Sequence, residues 1–572
     1  MRPGKRYREV EEASHSEDST SRGYGRAGSR IVKRARIITA LLLLVSLVLV
    51  TPARRIGAQQ ATPTGEPPPP RGFDVTHIKL QDGYRIEVIA ANLSVPTTAI
   101  FDGNDLLVAE SGWANTALPR VLRIKPDWTV EVLASEGLNG PVTGLLVKDG
   151  QLYVSHAGKV SIVEAGGKLR DIVVGLPSNG DHQNNNIVLG PDGKIYMGQG
   201  TVTNSGVVGV DNYIFGWLDK RPQEHEIPCK DITLVGENFE TDNPLTSAED
   251  KITTGAYKPF GTTSTAGEVI KGDVKCGGSI ARFNPDGSQY EMVAWGLRNP
   301  FGLEFDAQGK LWTAYHGADV RGSRSIRDDP DYFVQVEEGA WYGWPDFFDG
   351  ESVDADRFKD PTKPKPNSLW KEHPPLTKPF TTFETHEGAN GVDFSPGAEF
   401  GFEGDAFVAM FGSFLPVTTG INVKPNGFRV VRVDMKTKEV HDFASNNVPG
   451  PAYINQTRGF DRPSDVVFAP DNSMYIVDWG ASTVTDEGLK LTPLTGAVWR
   501  IYKDGTKQVR PEGALIIEAP PPIPEEQRKP EVRNVPEAWK ELLPTFAIIG
   551  GVLVLGIGFL VWFFKVLRRK KV

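Results

Sequence analysis

Cysteine is nearly absent. The 572-residue chain has two, Cys229 and Cys276. No Cys-x-x-Cys-His run occurs, which excludes covalently attached haem. Outside the cytoplasm the two thiols can pair, and closing a loop of that length is worth roughly 4 kcal/mol in the chain-entropy treatment. Two free thiols are the alternative. Helix-period patterns are also scarce, and alternating strand patterns outnumber them. Long apolar runs are missing from the body and occur only near the ends. Ile37 to Val50 follows a basic cluster (Arg30, Lys33, Arg34, Arg36) and precedes the small residues Gly57 and Ala58. Fourteen helical residues span about 21 Å, short of a ~30 Å hydrocarbon core. The pattern is that of a signal peptide over 1–58, with an uncleaved anchor as the alternative. Leu542 to Phe564 is uncharged and long enough to span a bilayer as one C-terminal transmembrane helix, and Lys565, Arg568, Arg569, Lys570 and Lys571 follow it. Those charges place the tail 565–572 in the cytoplasm. Everything between the two segments is then expected to be extracytoplasmic, on a single-pass membrane protein.

Positive charge is scarce in that body. Residues 1–55 carry +7 and the tail +5, so the total of −9 leaves −21 for the rest. An acidic exported body argues against nucleic acid as a partner.

What is there is hairpins. Two Pro-rich stretches, 59–72 and 506–541, read as extended linkers that frame a folded body at 73–505. Six segments alternate apolar and polar residues on both sides of a Gly, Asp or Asn turn: Ala99–Glu110, Gly144–His156, Ile187–Gly198, Leu303–Tyr315, Phe394–Met410 and Val466–Asp478. Six such units at about 70-residue spacing predict an all-β, six-bladed β-propeller, since radial repetition hides sheet edges. A pair of β-sandwiches is the alternative. The longest interruption, 219–276, is an insertion that holds both cysteines.

Several motifs occur in order across 73–505: Gly180-Asp181-His182-Gln183, Gly190-Pro191-Asp192-Gly193-Lys194-Ile195-Tyr196, Gly296-Leu297-Arg298-Asn299-Pro300, Tyr342-Gly343-Trp344-Pro345, Arg462-Pro463-Ser464-Asp465-Val466 and Trp499-Arg500-Ile501. Taken together they resemble the glucose/sorbosone dehydrogenase family, quinoproteins that use pyrroloquinoline quinone (PQQ) and Ca²⁺ on a six-bladed propeller. The resemblance implies an oxidoreductase that moves hydride from a sugar or aldehyde hydroxyl to PQQ. It makes His182 the base, with Asp181 helping to hold it, and places Arg298, Asn299, Arg462, His316 and Asp331 at the cofactor. It also places the backbone carbonyls of Gly317 and Ala318 on Ca²⁺. These residue types suit that chemistry, since a PQQ tricarboxylate needs guanidinium groups, an alcohol needs a base that titrates near neutrality, and a hard cation takes carbonyl oxygens. A membrane-borne quinone or cytochrome is the implied electron acceptor. Tyr342 and Trp344 read as packing residues.

The chain departs from the pattern at four places. Asn185-Asn186 stand where the family has Gly-Arg, Pro141 falls near a family glutamine, Leu415 near a family lysine, and Ser464 replaces a second arginine. Those losses keep open a propeller that binds a ligand or protein and has lost the cofactor. A Ca²⁺-dependent lactone hydrolase on a similar fold is a further alternative.

Overall fold

The computed structural model describes residues 71–523, apart from 114–116, 398, 415–424, 486–487, 507–510 and 512. The expected signal segment at 37–50, the membrane span at 542–564 and Leu415 lie outside the described residues. Among the described residues no helix is long and apolar enough to cross a membrane.

Six sheets carry the fold, each built on four antiparallel strands in up-and-down order, and in five of them the four follow one another along the chain apart from insertions. Blade 1 comprises Pro96–Asp102, Asp105–Glu110, Arg120–Ile124 and Val130–Ala134, and blade 2 comprises Val142–Lys148, Gln151–His156, Lys159–Val163 and Leu169–Val174. Blade 3 comprises Asn184–Leu189, Ile195–Gln199, Ser279–Phe283 and Glu291–Trp295, and blade 4 comprises Asn299–Phe305, Leu311–His316, Pro330–Gln335 and Thr381–Thr385. Blade 5 runs through Ala389–Phe394, Ala406–Met410, Arg429–Val433 and Val440–Asn446. Blade 6 holds Pro463–Phe468, Met474–Asp478 and Gly496–Lys503, and takes its fourth strand, Tyr84–Leu93, from the start of the described chain. That borrowed strand closes the ring, because its register from Tyr84 against Lys503 to Leu93 against Gly496 ties the two ends of the body together.

The first strands of the blades pack in a closed circle, blade 1 on 2, 2 on 3, and so on to 6 on 1. Each predicted hairpin is the first and second strand of one blade. Each blade packs on its neighbours through both faces near the axis, so the second strands are buried along nearly their whole length and not on one face only. Val108 and Leu122, for example, pack with Val477 and Val498 of the neighbouring blade.

Insertions thicken one side. Between the second and third strands of blade 3 the chain makes a short helix, Val210–Ile214, and a hairpin of Asn238–Asn243 with Ser247–Gly255. The segment is closed by a disulfide between Cys229 and Cys276, Cα atoms 4.9 Å apart. It packs on the blade 4 insertion through Leu234, Tyr257, Trp341, Trp344 and Trp370. Trp344 is thus a buried anchor whose Nε1 donates to Asn204 O at 3.1 Å, and the Tyr342 hydroxyl donates to Gln335 O at 2.6 Å.

Candidate active site

All six first strands begin at one face, and there they surround a cavity of about 730 Å³. Thr97, Pro141, Asn185, Asn299, Asn390 and Ser464, one at the head of each blade's first strand, all line it. Strand ends are the natural place for such groups: the sheet fixes their backbone while their side chains clear the packed blades. The wall has two characters. Trp113, Phe411, Phe414 and Trp479, from blades 1, 5 and 6, form an aromatic cluster with ring centroids 4.9–6.4 Å apart. Blades 3 and 4 supply His182, Arg298, Asn299, His316, Asp319, Arg321 and Asp331.

His182 sits just before the first strand of blade 3. Its Nδ1 lies 2.9 Å from the carbonyl oxygen of Thr201. A carbonyl only accepts, so Nδ1 carries the proton and Nε2 keeps a lone pair. Burial, reinforced by the positive Arg298, holds the imidazole well below its usual range, so the ring is neutral at pH 7. Asp181 does not hold this ring. Its carboxylate accepts from Asn212 Nδ2 at 3.0 Å and Trp217 Nε1 at 2.7 Å, and pairs with Arg321 at 2.7 Å.

Arg298 is 2% exposed. It donates to Asn204 O at 3.2 Å, to Gly317 O at 2.7 Å and to Asp319 Oδ2 at 2.7 Å. Arg321 pairs with Asp319, Asp181 and Asp211 together. A chain of two guanidiniums and three carboxylates therefore underlies the polar wall. Burial opposes the charge on Asp319, yet Arg298 and Arg321 beside it hold the carboxyl well below its usual range.

Amide side chains connect the blades. Asn185 Nδ2 donates to Asn299 Oδ1 at 2.9 Å, Asn299 Nδ2 lies 3.1 Å from His316 Nδ1, and His316 Nε2 lies 2.6 Å from Asn390 Oδ1. The belt is self-consistent if His316 is neutral with its proton on Nε2. Burial favours that state by lowering its basicity.

A model of the glucose/sorbosone dehydrogenase family matches residues 245–415. Over 179 residues the chain is 27% identical to quinoprotein glucose dehydrogenase B of Acinetobacter calcoaceticus, a match spanning 31% of this chain and 28% of that protein. The resemblance to the glucose/sorbosone dehydrogenase family stands. Among solved structures, the pyranose dehydrogenase PQQ domain of Coprinopsis cinerea is 14% identical, with 77% of this chain and 99% of that one covered and a TM-score of 0.46. The PQQ-bound aldose sugar dehydrogenase of Streptomyces coelicolor is 15% identical, with 74% and 99% covered and a TM-score of 0.41. The propeller assignment rests on the six sheets themselves.

Against the glucose/sorbosone dehydrogenase pattern, His182, Arg298, Asn299, His316 and Asp331 converge on one cavity although they are drawn from distant parts of the chain. Arg462 does not, and the expectation that it faces a cofactor is corrected. Its guanidinium lies behind the wall, 4.1 Å from the Phe414 ring centroid and also over Phe411 and Phe428. It donates to Ser482 Oγ at 2.6 Å and Gly412 O at 2.8 Å. Burial without a paired carboxylate pulls it down to about 9. The expected metal role of Gly317 and Ala318 is corrected as well. Gly317 O is taken by the Arg298 cation, and Ala318 is fully buried away from the cavity. Asp331 lines the cavity, but its two oxygens accept from Gly317 N at 2.8 Å and Ala389 N at 3.1 Å, which ties blade 4 to blade 5.

Asp319, Arg321, His386, Asn390, Thr201 and the aromatic wall had no signal in the sequence. Asp319 and Arg321 share the loop after the second strand of blade 4, His386 and Asn390 flank the start of blade 5, and Thr201 follows the second strand of blade 3, so no motif links the three groups.

Proposed function

We propose that the protein is a PQQ-dependent dehydrogenase that oxidises a sugar or aldehyde hydroxyl. The observation that carries this reading is His182 itself, neutral and tautomer-selected, on a cavity that also holds Arg298 and Asn299. Among the described residues His182 Nε2 has no hydrogen-bond partner, so its lone pair is available to a substrate hydroxyl. The cavity has room for a tricyclic anion, and the aromatic wall offers flat apolar faces to its rings. Arg298, Asn299, Asn390 and the exposed Arg221 at the rim are the groups suited to hold its polar edge. PQQ, when bound, accepts the hydride.

The chain's own residues do the remaining work. His182 Nε2 takes the hydroxyl proton as the carbinol C–H bond breaks. Asn299 and His316 present hydrogen bonds of set direction, because each is already fixed by its neighbour in the amide belt. Arg298 and Arg321 stand near enough to His182 to lower its basicity, while three carboxylates offset their charge further back. We include Ca²⁺ in this reading as a companion ion. Gly317 and Ala318 do not fit as its ligands, and no step is assigned to it.

The same reading places the enzyme outside the cytoplasm on a C-terminal tether, with a membrane quinone or cytochrome as electron acceptor. One geometric fact supports this. The last described residue, Ile523, lines the cavity. Residues 524–541 reach at most about 60 Å when extended, so a span at 542–564 would keep the cavity mouth near the bilayer.

The test is absorbance titration of the purified chain with PQQ, followed by dye reduction over a panel of aldoses and aldehydes. Saturable binding and sugar-dependent turnover, with only the turnover lost in His182→Ala, support the reading. A second reading, a binding propeller without the cofactor, is favoured by the withdrawal of Arg462 from the cavity. Absence of PQQ binding would select it.

A further inference from the structure

We propose that Glu226, backed by the Cys229–Cys276 disulfide, is a positioning residue for His182. It anchors the 201–203 turn whose carbonyl sets the imidazole tautomer. The inference rests on the reading of His182 as base.

Glu226 lies in the blade 3 insertion and is 1% exposed. One carboxylate oxygen accepts from Val202 N at 2.8 Å. The other accepts from Thr203 N at 2.9 Å and from Thr203 Oγ1 at 2.8 Å. Two successive amides and a hydroxyl are thus held by one side chain. The turn they fix is the one on which the base depends. Thr201 O accepts from His182 Nδ1, Thr201 N donates to Arg298 O at 2.9 Å, and Val202 O accepts from Asp181 N at 2.9 Å. Space around the turn is minimal. A Cβ at Gly200 would overlap the His182 Cβ, and one at Gly180 would overlap Val202 O.

The disulfide supports Glu226 from behind. Gly277, next to Cys276, donates its N–H to Ile227 O at 3.2 Å. A Cβ at Gly277 would lie 2.6 Å from Glu226 Oε1 and 3.2 Å from Thr201 Cα. A covalent link between residues 229 and 276 therefore clamps the backbone on both sides of the carboxylate. Burial raises Glu226 to about 7, a standing cost to the fold.

The chemical consequence follows from the two tautomers of a neutral imidazole. Only the Nδ1–H form leaves a lone pair on Nε2, and an uncharged carbonyl selects it by position alone. A turn free to shift by a few tenths of an ångström loses that selection.

The experiment is ¹⁵N NMR of the full chain labelled at histidine, without added cofactor, with the His182 signals assigned by their loss in His182→Asn. The parent should show Nδ1 protonated and Nε2 bare. In Gly277→Ala and Glu226→Gln, and in Cys229→Ser/Cys276→Ser, both His182 shifts should move toward the tautomer average. Gly277 has no positive φ, so alanine is tolerated by its backbone; it displaces the tip of Glu226 and also crowds Thr201 Cα, whereas Glu226→Gln changes the carboxylate alone. Turnover with PQQ should fall roughly tenfold or more in kcat, with KM for the sugar within about threefold. Unchanged His182 shifts in folded Gly277→Ala and Glu226→Gln would overturn the proposal. Shifted signals with no turnover in any variant would uphold it and reject the dehydrogenase reading instead.

Discussion

Arg298 Nη2 lies 2.7 Å from Asp319 Oδ2, and the same carboxylate oxygen lies 2.9 Å from Arg321 Nε. One acid thus holds two guanidiniums that would otherwise repel each other under the polar wall of the cavity. With Asn204 O and Gly317 O this pairing engages three of the five Arg298 N–H groups.

Removing that acid should be costly. Asp319→Ala leaves the buried Arg298 without its carboxylate, while Arg321 keeps Asp181 and Asp211, and breaking a buried pair from one side costs about 3–5 kcal/mol. Urea unfolding of the variant should show a correspondingly lower midpoint with an unchanged slope.

His182→Asn should fold like the parent, because the ring is half-buried and its hydrogen bonds run to Thr201 alone, at the carbonyl and the hydroxyl, where an amide N–H can stand in. Loss of a general base lowers kcat by roughly 10²–10⁴-fold. PQQ affinity measured by absorbance should change little. A comparable loss in affinity would show that the ring binds the cofactor and does not act as the base.

Stability should fall from mildly acid to alkaline pH. Burial raises Glu226, Asp329, Glu387 and Asp465 to about 7, against ordinary values of 4.5 for Glu and 3.8 for Asp. Between those limits the folded protein holds more protons than the unfolded chain, so each pH step upward favours unfolding. Asp319 has the opposite sign, because its lowered carboxyl contributes stability that disappears on acidification below about 4. Thermal melts should therefore peak near pH 5 and decline by pH 8. A melt that rises steadily from pH 5 to 8 would contradict the assignment.

Reducing the disulfide should lower stability by up to about 4 kcal/mol, the loop-closure value for a sequence separation of 47. Guanidinium unfolding with and without a strong thiol reductant measures it. Loosening should begin in the blade 3 insertion, where hydrogen exchange of the Val202 and Thr203 amides should accelerate first.

His156 shows why residue types alone do not define chemistry. Its Nε2 lies 2.8 Å from Ser161 Oγ, which in turn donates to Asp171 at 2.8 Å. Asn139 N donates to His156 Nδ1 at 3.0 Å, so the proton runs from histidine to serine to aspartate. That is the reverse of a nucleophilic triad, and the set supports the cavity loop at 138–141 instead.

The hairpins were legible because they are local. Alternation about an Asp-Gly or Asn turn is written in a dozen adjacent residues, and six such units leave few ways to hide their edges. The heads of the inner strands then had to share one face, which brings His182, Arg298 and Asn299 together, with His316 and Asp331 at the same end of the second and third strands of blade 4. The direction in which a buried charge points was not legible. Arg462 turns to three aromatic rings and two loop carbonyls, and Gly317 O turns to Arg298, because each buried polar group is satisfied by whatever partners the whole fold brings within 3 Å. Composition and periodicity alone determined the propeller, whereas only the assembled ring decided which cations face the cavity and which are tied up in holding its wall.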